Sequence, residues 1–318
     1  MPERMASEKS PVENPEMQVM KQRISKFFSE YGRRHGLNFK PRSDDVLIVT
    51  SPKCGTTWMQ QILHQLRSGG DMSFDEITDV VPFLESAYDT ERDLEAEHNF
   101  QPRCYKTHAW YPDCPKGAKY IVIYREPCAS FNSYFNFLKG WIFQPGKISL
   151  NEFVQEFPLA LGEPKSKMQH YAIYASYFLH LMSWWEHRND PNVLFLFYED
   201  MKDDLESVVR KVASFIGIED EERIKKAVEM SSFEFMKSNE RKFIFARLAK
   251  YRNKVCGLPE GAEGRIVATG SATKGREMMD EKTKEMIQAK WNEVVWKQTG
   301  FQDYQQLRNA FKKQNENK

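Results

Sequence analysis

The sequence has few of the features that mark secreted, membrane-spanning or nucleic-acid-binding proteins. Its 318 residues include 5 cysteines, an odd number with no CxxC pair, which fits reduced thiols better than a disulfide scaffold. Lys and Arg (46) barely outnumber Asp and Glu (45), so no general basic surface is predicted. The longest weakly polar stretch, 171–185, contains polar residues and is too short to span a membrane. We therefore expect neither a nucleic-acid nor a membrane partner, and any anion site must be local.

The two ends of the chain are poor in residues that could build a core. Residues 1–16 are polar and carry charges and prolines where a secretory signal would need an apolar segment, so we expect a cytoplasmic protein. Residues 312–318 are equally polar. We predict that both ends are disordered and that residues 17–311 form one folded domain.

Three short apolar runs predict the strands of a parallel sheet. They are VLIV at 46–49, YIVIY at 120–124 and VLFLF at 193–197, each apolar on both faces as strands covered on both sides should be. Helical spacing lies between them, at 59–66 and at 205–216, and each of these patterns stops at glycine. We expect an α/β fold: a single three-layer domain with a central parallel sheet flanked by helices. Its ligand crevice should lie at the carboxyl ends of the strands.

The loop after the first run has the composition of a phosphate-binding turn. The sequence T-S-P-K-C-G-T-T-W provides a glycine, hydroxyls, a lysine and a helix N-terminus. It is not a Walker A motif, because Lys53 precedes Gly55 and no G-x-x-x-x-G-K-[ST] occurs, which weighs against nucleoside triphosphate hydrolysis. The alternative is a plain turn in which Thr56 and Thr57 only cap the helix.

This loop resembles the 5′-phosphosulfate loop, T-Y-P-K-S-G-T-T-W, of the cytosolic sulfotransferases, which use 3′-phosphoadenosine 5′-phosphosulfate (PAPS). Four further blocks occur in the family's order and at its spacing. They are V-P-F-L-E at 81–85, K-T-H at 106–108, Y-R-E-P followed by S-F-N-S-Y-F at 124–135, and F-Y-E-D-M-K at 197–202. The resemblance covers about residues 40 to 240. It implies a P-loop NTPase-like fold and in-line transfer of a sulfonate group from PAPS to a hydroxyl or amine of a small molecule, without a metal.

The resemblance also implies three catalytic residues. His108 of the K-T-H block corresponds to the general base, a role that suits an imidazole titrating near neutral pH. Lys53 corresponds to the lysine on the leaving phosphate, and Lys106 would neutralise the sulfonate oxygens. Six other histidines occur outside any such motif, so only the motif distinguishes His108.

The family's nucleotide-binding positions can be matched in the same way. Arg125 and Ser133 match the residues that hold the 3′-phosphate, which distinguishes PAPS from ATP. The remaining matched positions are Lys53, Cys54, Gly55, Thr56, Thr57 and Trp58 in the loop, Tyr198, Ser231 and Phe233 beside the adenosine, and Gly270 near the C-terminus.

The family's C-terminal signature, R-K-G-x-x-G-D-W-K, is degraded in this chain. The ungapped alignment puts Gly270 at the first glycine and 268–269, Ala-Thr, at the Arg-Lys pair. Two alternatives follow. Either Arg265 or Lys274 replaces those cations, or Arg125 and Ser133 hold the 3′-phosphate alone. Weaker donor binding would follow in the second case.

The family's dimer motif and acceptor pocket are less well defined here. The motif K-x-x-x-T-V-x-x-x-E has acids, Asp280 and Glu281, at its centre, so that dimer is not expected and the oligomeric state is left open. For the acceptor we predict apolar walls around His108 and Lys106 that suit a small alcohol, phenol or amine. The predicted wall residues are Phe83, Trp141 and Phe143.

Three other functions compete with this reading. A P-loop kinase acting on a small molecule would need a magnesium-binding hydroxyl after a Gly-Lys pair, which the loop does not have. A catalytically weakened nucleotide-binding relative would explain the degraded C-terminal signature, but it would have no use for the base His108. A carbohydrate sulfotransferase of the Golgi usually carries a signal anchor, which this N-terminus does not resemble.

Overall fold

The computed structural model describes residues 14–162, 175–264 and 274–316, and they contain one four-stranded sheet. All of its neighbouring strands are parallel, in the order β2-β1-β3-β4. The strands are β1 (Val46–Thr50), β2 (Cys104–Thr107), β3 (Lys119–Tyr124) and β4 (Val193–Phe197). The three predicted strands are confirmed, and β2 is an additional one.

Helices surround this sheet. They are α1 (Pro15–Ile24), α2 (Glu30–Leu37), α3 (Thr56–Ser68), α4 (Ile77–Val80), α5 (Pro127–Leu138), α6 (Leu150–Glu156), α7 (Tyr177–Trp185), α8 (Tyr198–Asp203), α9 (Leu205–Ile216), α10 (Glu221–Met230), α11 (Phe233–Ser238), α12 (Ala246–Cys256), α13 (Lys274–Glu277), α14 (Glu281–Trp291), α15 (Lys297–Thr299) and α16 (Tyr304–Glu316). Short 3₁₀ turns lie at Leu84–Ser86, Tyr88–Thr90, Tyr111–Asp113 and Glu240–Phe243, and a π-helical turn at Asn292–Trp296 joins α14 to α15.

Side chains of the central strand β1 point alternately into two separate apolar layers. Leu47 and Val49 join the larger layer, with α1, α5, α7 and α16, whereas Val46 and Ile48 join the smaller one, with α3, α9 and α10. Every residue of β1 is buried, as expected for a strand covered on both faces. The three-layer α/β architecture predicted from the sequence is therefore confirmed. Among the described residues, no helix is long and apolar enough to cross a membrane.

Both ends of the chain are ordered further than the sequence predicts. Helix α1 begins at Pro15, where the Asn14 side chain accepts a hydrogen bond from the backbone N–H of Glu16. Met17 and Met20 of α1 are fully buried, so the apolar side chains of this segment have a core to pack against.

The second difference lies at the C-terminus. Helix α16 continues to Glu316, so the segment expected to be disordered from residue 312 is helical to that point. Phe311 packs against aromatic residues of α7 and β4, and Lys312 forms an ion pair with Asp200 (2.5 Å). These contacts anchor the last turns of a helix whose own composition is polar.

Candidate active site

Each of the four strands ends next to a residue that the sequence assigns to the active site. The phosphosulfate-type loop follows β1, His108 follows β2, Arg125 follows β3 and Tyr198 follows β4. Because the strands are parallel, their carboxyl ends meet at one edge of the sheet. The fold thereby gathers residues that are up to about 150 positions apart in the chain at one crevice.

The loop between β1 and α3 turns tightly. Lys53 (φ +68°) and Gly55 (φ +105°) both have left-handed backbone conformations, and a Cβ atom at Gly55 would lie 2.9 Å from the Tyr198 ring. Gly55 is the N-cap of α3, and the Thr56 hydroxyl bonds to that of Thr50 (2.6 Å) instead of capping the helix. The alternative of a plain turn capped by the two threonines is therefore wrong. The first amides of α3 lack intrahelical partners, and a helix N-terminus of this kind attracts anions.

A cavity of about 450 Å³ opens above this loop. Its described lining contains five basic side chains and no carboxylate: Lys53, Lys106, Arg125, Lys202 and Arg252. The remaining lining residues include His108, Phe83, Gly55, Thr56, Thr57, Trp58, Asn132, Ser133, Asn136, Phe137, Tyr198 and Phe233. In a chain of net charge +1, such local concentration of one sign indicates an anion-binding cavity.

Lys53 and Arg125 lie together at the loop side of the cavity. Arg125 donates a hydrogen bond to the Lys53 carbonyl oxygen (3.5 Å), and its guanidinium stacks 4.4 Å from the centre of the Tyr198 ring. The Lys53 ammonium lies 4.3 Å from the centre of the Phe137 ring. Burial and the Arg125 charge lower the pKa of Lys53 to about 7. An anion bound here would raise that pKa again, because it would offset both causes.

Not every predicted nucleotide-binding side chain faces the cavity. Trp58 lines it, contacts Tyr198 edge-on at 5.6 Å, and donates from its indole N–H to the carbonyl oxygen of Ser231 (2.7 Å). Ser231 itself is fully buried and does not line the cavity, so its link to the site runs through Trp58. The Cys54 side chain also points away from the cavity: its Sγ lies 3.6 Å from Ser130 Oγ, and burial raises the thiol pKa to about 12.

His108 is held in one orientation by β1. Its Nδ1 lies 2.8 Å from the Thr50 carbonyl oxygen, which can only accept a hydrogen bond, so Nδ1 carries the proton and Nε2 carries the lone pair. Burial and the neighbouring Lys106 charge hold the pKa of His108 well below its usual value. The imidazole is therefore neutral at pH 7.

Glu85 fixes the backbone at the end of β2, a role that the sequence did not reveal. This carboxylate is buried and accepts hydrogen bonds from the backbone N–H of His108 (2.8 Å) and from the Thr107 hydroxyl (2.9 Å). Burial raises its pKa. Glu85 belongs to the V-P-F-L-E block, whose presence in the family pattern was the only sequence-level indication of a role.

Lys106 is enclosed by aromatic rings. Its ammonium lies 4.3 Å from the centre of the Phe83 ring and 3.8 Å from that of Phe245. Burial, followed by the charge of Arg252, lowers its pKa well below the usual value. Phe83 also contacts the His108 ring edge-on at 5.2 Å. Phe83, Lys106 and His108 therefore line the same cavity and lie close together.

The prediction that Trp141 and Phe143 form acceptor walls is wrong, because neither lines the cavity. The Trp141 indole N–H donates to Asn253 Oδ1 (2.8 Å) and its ring stacks on Phe27 (5.7 Å). Phe143 is buried against other rings of the core, including Phe135. Phe27, Phe245, Leu248 and Arg252 also line the cavity, and the sequence did not predict them, because they come from distant segments without a recognisable motif.

Two sequence predictions concern the C-terminal part. Gly270 and Arg265 lie in 265–273, outside the described residues, and so does the side chain of Lys274. In the dimer-motif region Asp280 and Glu281 are exposed, and Asp280 caps α14 by accepting from the Thr283 N–H (2.8 Å). The expectation that this segment does not mediate a dimer stays a prediction.

A comparison of the sequence with known protein families assigns the chain to one of them. The model of the sulfotransferase domain family matches residues 43–294, which is most of the chain. The chain belongs to the sulfotransferase family. It is 32% identical over 240 residues to an amine sulfotransferase of Oryctolagus cuniculus, across 71% of this chain and 75% of that protein. Sulfotransferase 1E1 of Cavia porcellus is 34% identical over 216 residues, across 63% of this chain and 68% of its own length.

Solved structures agree on the fold of this sulfotransferase. Retinol dehydratase in complex with androsterone and the inactive cofactor PAP superposes with a TM-score of 0.66 at 20% identity, covering 91% of this chain and 96% of that one. Mouse sulfotransferase SULT7A1 complexed with PAP gives 0.61 at 22% identity, covering 86% and 90%. The predictions of a P-loop NTPase-like α/β fold and of a sulfotransferase are confirmed, and the kinase alternative is not favoured.

Proposed function

We propose that this sulfotransferase transfers the sulfonate group of PAPS to a hydroxyl or amine of a small molecule by in-line displacement, with His108 as the general base. One observation carries the assignment of the base: the bond from Nδ1 to the Thr50 carbonyl oxygen (2.8 Å) fixes the tautomer that leaves a lone pair on Nε2. The same cavity contains Lys53 and Lys106.

The residues around the cavity fit a polyanionic donor. The lining offers five basic side chains, no carboxylate among the described residues, and the N-terminus of α3. Arg125 and Ser133 are our candidates for the 3′-phosphate, because a guanidinium and a hydroxyl can bind one phosphate from two sides. Trp58, Tyr198 and Phe233 supply rings for the adenine. PAPS would supply the sulfonate and an anionic leaving group, PAP.

His108 would act on the acceptor as a neutral base. Its lowered pKa keeps it deprotonated at pH 7, so Nε2 is ready to accept the proton as the acceptor oxygen bonds to sulfur. The Thr50 carbonyl and the Glu85 carboxylate, through the side chain and the backbone respectively, hold the ring in place during the transfer.

Lys53 and Lys106 would provide the positive charge that the transfer needs. As the bond from sulfur to the 5′-phosphate oxygen breaks, negative charge grows on that phosphate, and Lys53 in the loop is our candidate to stabilise it. Lys106 is our candidate for the sulfonate oxygens, because it lines the cavity with His108 and its pKa responds to the charge of Lys53. In this proposal no metal ion takes part.

We also propose an acceptor class and a cellular compartment for this enzyme. Aromatic residues at the His108 end, Phe27, Phe83 and Phe245, suit a small alcohol, phenol or amine. The five cysteines lie within the described residues as free, buried thiols, which supports work in the reducing cytoplasm. We propose one folded domain that includes α1 from Pro15 and α16 to Glu316.

The donor assignment is tested by isothermal titration of the protein with PAP, ADP and ATP. We expect tighter binding of PAP, and Arg125→Gln should weaken PAP by about 10- to 100-fold, the usual worth of a hydrogen bond to a charged group, while changing ADP little. The control is Arg241→Gln, because Arg241 is highly exposed and lies outside the cavity lining. Equal affinities for PAP and ADP would contradict the proposal.

A further inference from the structure

Arg252 places a buried positive charge at the acceptor end of the cavity. It lies on α12, is 5% exposed, and lines the same cavity as His108 and Lys106. Its guanidinium stacks against the rings of Phe27 (4.0 Å) and Phe28 (4.9 Å). Its Nε donates to the Phe27 carbonyl oxygen (3.3 Å). The position of the guanidinium is thus fixed from one side by the segment between α1 and α2.

The Arg252 charge acts on Lys106 and His108, the two site residues at the end of β2. This charge is the largest cause, after burial, of the lowered pKa of Lys106, and it also contributes to the lowered pKa of His108. Arg125, in contrast, is the charge that lowers the pKa of Lys53 at the loop side. Arg125 lies beside Lys53 of the loop, where the proposed donor would place its phosphates, whereas Arg252 is available to a different part of a bound molecule.

The surroundings of Arg252 also indicate what it could bind. The neighbouring walls are aromatic, with Phe27, Phe83 and Phe245 close to the Lys106 and Arg252 cations. The described lining of the main cavity holds no carboxylate of its own.

We propose that Arg252 is a specificity-determining residue that selects acceptors carrying a carboxylate on an aromatic or similarly flat body, with the reacting hydroxyl at the other end. The inference rests on the proposed function and narrows its acceptor class. A guanidinium fits a carboxylate with two parallel hydrogen bonds, and the aromatic walls fit a flat ring. Acceptors with a protonated amine tail are disfavoured, because the Arg252 guanidinium would repel it.

Two other roles for Arg252 predict different results. A purely structural residue would tie the Phe27 segment to α12, and its loss would affect every acceptor alike. A donor-binding residue would hold the sulfonate or a phosphate, and its loss would weaken PAP. The experiment must separate these roles from carboxylate selection.

The test uses three phenols of matched size that differ in the charge of the tail: 4-hydroxyphenylacetate, 4-hydroxyphenylacetamide and tyramine. Their kcat/KM values are measured with PAPS at pH 7, and their Kd values with the PAP-bound protein. We expect the wild-type protein to prefer the acetate over the amide by about 10-fold or more, because the amide cannot form the charge-assisted bond with Arg252. Tyramine should be the poorest acceptor, because Arg252 repels its ammonium group.

Variants then assign the preference to Arg252. Arg252→Gln should lower kcat/KM and binding for the acetate by about 10- to 100-fold, while the amide changes less than about threefold and the affinity for PAP is kept. Arg252→Lys should keep most of the preference, because the charge remains. The matched control is Lys250→Gln, which removes a positive charge from the exposed side of the same helix and should change nothing. Thermal unfolding of each variant checks that it is folded.

Three results would overturn the inference. They are equal use of acetate and amide by the wild-type protein, an equal loss for all three phenols in Arg252→Gln and Arg252→Lys, and a loss of PAP affinity that matches the loss of acetate. The comparison of the three phenols with the wild-type protein needs no variant, so it tests the inference even if a variant folds poorly. Sulfonation of the amide without preference for the acetate would refute only the role of Arg252. No sulfonation of any phenol together with no binding of PAP would instead refute the proposed function and the inference with it.

Discussion

Binding of the product nucleotide PAP should draw a proton onto Lys53. In the protein alone, burial and the Arg125 charge lower the pKa of this lysine to about 7. A phosphate beside the ammonium favours the charged form and raises the pKa towards its ordinary value. Binding above pH 7 must therefore be accompanied by proton uptake, whereas well below pH 7 the lysine is already charged.

The size of the effect follows from the pKa. With a pKa of about 7, the neutral fraction of Lys53 is about 0.9 at pH 8 and about 0.1 at pH 6, so its uptake should be about 0.9 and 0.1 proton per PAP. Above pH 7 this lysine alone should weaken PAP binding by up to about tenfold per pH unit, until the pH reaches the pKa of the complex.

Isothermal titration in buffers of different ionisation enthalpy measures this uptake directly. Lys53→Arg is the matched control, because a guanidinium keeps the charge but stays protonated at every pH used. Other groups, such as Lys106 and the phosphates of PAP, contribute equally to both proteins, so the difference at pH 8 should be about 0.9 proton. The same uptake by both proteins would refute the coupling of Lys53 to the phosphate.

Three further predictions concern the loop, the base and the expected independence of metal. His108→Ala should lower turnover by about 10²- to 10⁴-fold while PAP binding is kept, and survival of activity within a few-fold would show that another group is the base. Gly55→Ala should weaken PAP binding by roughly tenfold or more, because the new Cβ would lie 2.9 Å from the Tyr198 ring at a φ of +105°. Gly300→Ala is the control, because Gly300 also has a positive φ (+75°) but has open space around it, and this variant should bind PAP normally. Equal PAP affinities of the two variants would contradict this role of the loop. EDTA should leave activity intact, and loss of activity that Mg²⁺ restores would contradict catalysis by lysines alone.

The sequence predicted those parts of the molecule whose cause is local. Strands β1, β3 and β4 are apolar on both faces, and α3 and α9 end at Gly69 and Gly217, whose φ values of +69° and +79° only glycine adopts without strain. Strand β2 was missed because it is only four residues long and half polar, with Lys106 and Thr107. The strand is buried because it pairs with β1 and with the segment at 82–83, which are tertiary contacts that its own sequence does not indicate.

The candidate site likewise has a part that local sequence predicts and a part that it does not. The loop, His108, Arg125 and Tyr198 could be predicted, because each follows a strand and belongs to a motif whose parts are close in the sequence. The acceptor end could not, since Arg252 reaches it from a helix 144 residues after His108 and no local pattern distinguishes a cavity-lining ring from a core ring. For the same reason Trp141 was misassigned: its apolar ring suits either place, and the bond to Asn253 that fixes it in the core is a tertiary contact.

The most direct test of the proposed function is transfer of radiolabelled sulfonate from PAPS to a small phenol by the purified protein. We expect labelled aryl sulfate and PAP in equal amounts, dependent on time and protein, with His108→Ala reduced by about 10²-fold or more under the same conditions. An absence of labelled product across neutral, anionic and amine-bearing phenols, in a protein that still binds PAP, would contradict the claim that this chain catalyses sulfonate transfer to such acceptors.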